Sequence, residues 1–167
     1  VLGLPVRIKA ENADAGELAS HKMGYAIGEC PEEPVEIIMT ADAQKSETFF
    51  WLVRAWCGKE QSYLLDFGRA SSKAELREIS KRRYRTPIGD YAPTRRLIDA
   101  GAFTDDIYQF CDADPSNRWT PIKGVEKREA RTPADPKGKR KDGRPLLIVH
   151  THYCRQALAA MISRPKG

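Results

Sequence analysis

Apolar residues in this chain come in short runs divided by polar breaks, and the runs set out its elements. Val35 to Thr40, VEIIMT, predicts a strand apolar on both faces. Glu47 to Cys57 predicts a longer second strand, rich in aromatic and β-branched residues, and Ser62 to Phe67 a third. Short links make these three an antiparallel meander. The period then changes. SSKAELREISKRRY predicts a helix, with Ser72 and Glu75 spaced as a capping box and Glu78 and Arg82 at i and i+4. TPIGDYAPT, with two prolines and a glycine, breaks regular structure.

Arg95 to Gly101, RRLIDAG, predicts a short strand that ends on Asp99. Thr104 is placed to cap a helix through DDIYQFC, with Asp105 and Asp106 in its first turn. Trp119 to Val125 and Leu146 to His150 predict two further strands. A helix over Tyr153 to Ser163 closes the chain, with Tyr153, Ala157, Leu158, Met161 and Ile162 on its apolar face. The opening VLGLPVRIKAENADAGEL predicts an extended arm with a short helix after Asp14, closed by Pro31 and Pro34. Three antiparallel strands followed by parallel strands and helices describe an α/β mixed sheet covered on both faces.

At 167 residues and 41% hydrophobic, the chain suits one domain with a real core. Its longest apolar runs are too short to cross a membrane, and no leader pattern opens it. It begins with Val1, as a part of a longer or processed product does. Cys30, Cys57, Cys111 and Cys154 lack metal-site spacing and are expected to be free thiols. The net charge is +5 and unevenly placed: Lys123 to Arg144 holds nine Lys and Arg against four Asp and Glu, an excess equal to the whole net charge. A basic segment on a neutral body points to a polyanion, against the plainer reading of a solvated loop.

Asp42 and Asp99 share one description: each ends an apolar strand and is followed by small residues, Ala43 and Ala100–Gly101. Each alone is explained as a turn cap. As a pair brought to one sheet edge they would repel unless divalent ions neutralise them, and carboxylates suit Mg2+ and Mn2+. Two such ions can clamp both oxygens of a phosphodiester displacement. Asp66 is expected to be a structural partner, Asp105 and Asp106 helix-terminal charges, and Glu47 a weak candidate. For DNA phosphates the candidates are Lys137, Lys139, Arg140, Lys141 and Arg144 in a loop broken by Pro and Gly, with Arg95 and Arg96 beside Asp99. Arg82, Arg83 and Arg85 add a further basic group. No base-reading motif is present.

Four stretches, VLGLP, IIMTADAQKSETFFWLVRAW with SYLLDFG, RRLIDAGAFTDDIYQFCD and LLIVHTHYCRQALAAMI, together resemble the nuclease domain of lambda-like phage terminase large subunits, the DNA-packaging motors. The resemblance implies an RNase H-like fold, with residues 1–34 leading in from an ATPase domain and 35–167 forming the nuclease. It implies a metal-dependent endonuclease that cuts concatemeric double-stranded DNA, with Asp42 bridging two metal ions and Asp99 holding one. It further implies the ATPase domain of the same protein, the small terminase subunit and the portal as partners, in the host cell cytoplasm. The family's third ligand, usually an acid, falls in VHTHYCR, which has none. His150 ends the last strand there as a candidate ligand or proton-transfer group, with His152 two residues on; imidazole favours Mn2+ over Mg2+. No GxxxxGK[ST] loop is present, so ATP hydrolysis by this chain alone is not expected. The competing readings are a catalytically weak or inactive DNA-clamping module of the motor and an RNase H-like resolvase or integrase.

Overall fold

The computed structural model describes residues 24–44, 48–58 and 61–162. Most of the predicted arm, the helix after Asp14, Glu47 and the terminal Ser163 lie outside them. β1 (Pro34–Ala43), β2 (Phe49–Cys57) and β3 (Ser62–Ala70) form the antiparallel meander. β6 (Arg95–Asp99), β7 (Trp119–Val125) and β9 (Leu147–His150) then add on in parallel. The sheet runs in the order β3-β2-β1-β6-β7-β9-β8, with the short β8 (Ala134–Asp135) antiparallel at its edge. This mixed α/β sheet is consistent with the RNase H-like class.

Burial alternates along the strands, because successive side chains point to opposite faces. On β1, Ile37, Met39 and Ala41 are buried, whereas Asp42 is exposed. On β2, Phe49, Trp51, Val53 and Ala55 are buried. β1 was expected to be apolar and buried on both faces, but only one face is closed. α1 (Lys73–Ile79) and α2 (Thr104–Asp112) cover that face, and their Leu76, Ile79, Ile107 and Phe110 join the core. α3 (Thr151–Ile162) starts on the other face, directly after His150. Its first turn presses so close to β7 that a Cβ on Gly124 would stand 2.8 Å from Thr151 Cγ2.

Several local expectations change. α1 ends at Ile79, well short of Tyr84, and Arg82 lies outside it. The Ser80 carbonyl after α1 accepts from both Nε and Nη2 of Arg96, which pins the turn. Ser72 does cap α1 by accepting the Glu75 N–H, but the Glu75 carboxylate takes the N–H of Ser71 instead of closing the box on Ser72. The stretch expected to be irregular is a hairpin, β4 (Tyr84–Thr86) and β5 (Gly89–Tyr91), because Gly89 supplies the φ of +127° that its turn needs. Thr104 is the first helical residue of α2 and not its cap; its hydroxyl donates to the Ala100 carbonyl. Leu158 on α3 is exposed.

Candidate active site

β1 and β6 are parallel neighbours, with Ala41 opposite Ile98. Asp42 and Asp99 are the next residue on each, so the crossover from β3 through α1 to β6 lays the two carboxylates side by side. Ala41 and Ile98 point into the core. By the strand period, Asp42 and Asp99 point to the open face. The row continues to Phe50 on one side, opposite Asp42, and to Ile122 on the other, opposite Asp99. All four line one open pocket of about 410 Å³, together with Thr40 and Leu52.

Each carboxylate is oriented by a near neighbour in sequence. Gln44 Nε2 donates to Asp42 Oδ2 at 2.6 Å. The Gly101 N–H donates to Asp99 Oδ1 at 3.1 Å, so Asp99 does cap the turn after its strand. A Cβ on Gly101 would stand 3.3 Å from Asp99 Oδ2, so the glycine keeps that oxygen clear. The ion pairs seen among the described residues include neither Asp42 nor Asp99. Two adjacent carboxylates without a cation form a hard-oxygen donor set, which suits a divalent ion of the Mg2+ or Mn2+ kind. No cluster of three His, Cys, Asp or Glu placed to hold a metal ion occurs among the described residues. A hard ion held here would complete its shell with water and phosphate oxygens, as Mg2+ commonly does.

His150 is not brought to this row. It pairs with Val125, three residues beyond Ile122, or about 10 Å further along the strands and on the opposite face. Its buried ring sets Nδ1 2.8 Å from the Thr132 carbonyl oxygen. His152 does not extend the strand, because α3 has already begun; its Nδ1 lies 3.7 Å from Glu126 Oε1. Glu126 also accepts from the Thr151 hydroxyl at 3.0 Å. Asp66 accepts from Arg82 and from the Tyr84 hydroxyl, both at 3.2 Å. Burial, helped by the Asp66 charge, pushes the Tyr84 phenol well above its ordinary range. Asp105 and Asp106 stand in the first turn of α2, with Asp106 paired to Lys73.

The cations proposed for phosphate divide in two. Arg140 is 8% exposed, donates through both Nη atoms to Asp112 at 2.8 and 2.9 Å, and lies over the Tyr108 ring at 4.3 Å. These bonds hold the Asp112 carboxyl below the usual carboxylate range. Arg144 reaches the same carboxylate. Arg96 is spent on the Ser80 carbonyl, and burial lowers the pKa of its guanidinium. Arg95 pairs with Glu36 at 2.6 Å. Lys137, Lys139 and Lys141 are exposed and form no ion pair seen among the described residues. All four cysteines are free thiols.

Sequence reasoning passed over Phe50 and Leu52, which line the pocket, and Gln44, which donates to Asp42. Gln44 had a signal, two positions after Asp42 in DAQ. Phe50 and Leu52 were read only as strand formers, since a run such as FFWLV does not tell which alternate residues will be covered.

A family model described as the endonuclease domain of the terminase large subunit gpA matches residues 1–167, the whole chain. Comparison with curated proteins and with solved structures returned no match. The chain belongs to the terminase large-subunit endonuclease-domain family, which makes it a nuclease-type hydrolase of DNA packaging.

Proposed function

We propose that this terminase endonuclease domain cuts double-stranded concatemeric DNA by metal-dependent phosphodiester hydrolysis at Asp42 and Asp99. One observation carries the reading: two carboxylates from adjacent parallel strands share one open pocket, and neither is seen to pair with a cation among the described residues. Rigid strands hold both groups, and the Gln44 amide and the Gly101 N–H fix their rotation. Ala43, Ala100 and Gly101 leave room for a phosphate above them. Two divalent ions, Mg2+ or Mn2+, would neutralise the phosphate and stabilise the leaving 3′ oxygen there. Lys137, Lys139 and Lys141 would contact the DNA backbone at a distance from the cut, without reading sequence. The ATPase domain of the same protein, the small terminase subunit and the portal are the proposed partners, in the cytoplasm of the host. Given its place, His150 is assigned the Thr132 contact rather than a metal.

A second reading keeps the family and removes the chemistry: a DNA-clamping module that does not cut. The lack of a third His, Cys, Asp or Glu beside Asp42 and Asp99 among the described residues favours it. Plasmid cleavage separates the two. We expect nicking and linearisation with Mn2+ and with Mg2+, none with EDTA, and none from Asp42→Ala or Asp99→Ala. Binding without cleavage in either metal would transfer the assignment to the clamp.

A further inference from the structure

We propose that the open sheet face beside the Asp42–Asp99 pocket is a stacking platform for unpaired bases of the strand whose phosphate the pocket holds. The inference rests on the nuclease reading for its substrate and adds that the DNA is locally single-stranded next to the cut. Phe50 is 54% exposed, Leu52 38% and Phe67 61%, although all three are paired within the sheet. The register groups them. Phe50 stands opposite Asp42, and Leu52 stands between Thr40 on β1 and Phe67 on β3. Phe50 and Leu52 also line the carboxylate pocket, so the apolar surface is continuous with it.

The edges of this surface carry charge of the right sign. Arg69 is the register partner of Phe50, and Arg54 that of Ile38. Arg69 donates to the Thr48 hydroxyl and Arg54 to that of Ser62, and neither is in an ion pair seen among the described residues. Aromatic rings flanked by guanidinium groups match the chemistry of a single strand, whose bases offer flat apolar faces and whose phosphates need cations. An intact duplex turns sugar and phosphate outward and keeps its base faces stacked inside, so it would leave Phe67 in water. Rings this exposed on a sheet face are a recognised mark of an interaction surface.

Fluorescence anisotropy of the full chain in EDTA tests this, with a labelled mixed-sequence single strand and the same sequence as a blunt duplex. The single strand should bind more tightly. Phe67→Ala should weaken it about tenfold and leave the duplex unchanged. Phe67→Tyr, which keeps the ring, should restore binding, and serves if the alanine variant melts early. Equal affinity for both forms, or single-strand affinity indifferent to Phe67, would overturn the platform. So would self-association in sedimentation that Phe67→Ala abolishes, since the face would then belong to a second copy. Binding is read without metal, so the nuclease reading stands or falls separately. Asp42→Ala should lose cleavage and still bind the single strand.

Discussion

On β2, Phe49, Trp51, Val53 and Ala55 are buried in the core that α1 and α2 join, while Phe50 and Leu52, their immediate neighbours, face water. The same alternation on β1 separates Met39 and Ala41 from Asp42. The covered face is packed to contact: a Cβ on Gly68 would stand 2.9 Å from Trp51 Cζ2. The open face has a pocket at Asp42 and Asp99. The difference shows where stability and chemistry are kept apart in this domain. α1 and α2 close one side, while α3 packs on the other against β7 and β9. The part of that side beside β1 is then free to carry two adjacent carboxylates, an arrangement no apolar core would tolerate.

Substitutions on the two faces should therefore fail in different ways. Asp42→Ala or Asp99→Ala should reduce metal-dependent cleavage roughly a thousandfold while the urea midpoint stays put, since metal stabilisation of several kcal/mol is lost at about 1.4 kcal/mol per decade. A variant that unfolds instead would mean that the open face is structural. Leu65→Ala, on the covered face, should cost about 2–5 kcal/mol in urea unfolding, because Leu65 is fully buried and leaves a cavity. Leu52→Ala, on the open face, should stay within about 0.5 kcal/mol. Similar losses from the two would erase the contrast.

The third test concerns the corner where the basic loop folds back. Arg140 holds the Asp112 carboxyl below its ordinary value, so this pair stabilises the fold above about pH 4 and the contribution disappears as pH falls through the lowered value. Thermal melts of the wild type and Asp112→Asn should differ at neutral pH and converge in acid. A constant gap across that range would remove the ion pair from the account. The smallest effect is predicted for His150→Ala. The ratio of cleavage in Mn2+ to that in Mg2+ should not change, because His150 faces Thr132 and not the carboxylate row. A shift toward Mg2+ would return His150 to the site.

Much of the fold was legible because strand and helix periods are local. The meander, the later strands, both Asp-bearing strand ends and the final helix follow from runs of six to a dozen residues. The hairpin at Gly89 was missed because Pro87 sits in its turn and Gly89 opens β5, with strands of only three residues on each side. The DNA-contact assignments were legible as charge but not as placement. Arg140 and Lys139 are adjacent in the chain, yet one is buried against Asp112 and the other is exposed. An ion pair needs a partner near in space, and Asp112 is 28 residues away.

From the sequence alone came two carboxylates at the ends of apolar strands, small residues after each, and a basic segment downstream. Strand pairing decided what these amount to. Placing β6 beside β1 puts Asp42 and Asp99 in one row, and the β7–β9 register carries His150 past that row and onto the other face. A side chain's face depends on whether the offset is odd or even, and its neighbours depend on which strand lies alongside. Both are set only when the sheet closes.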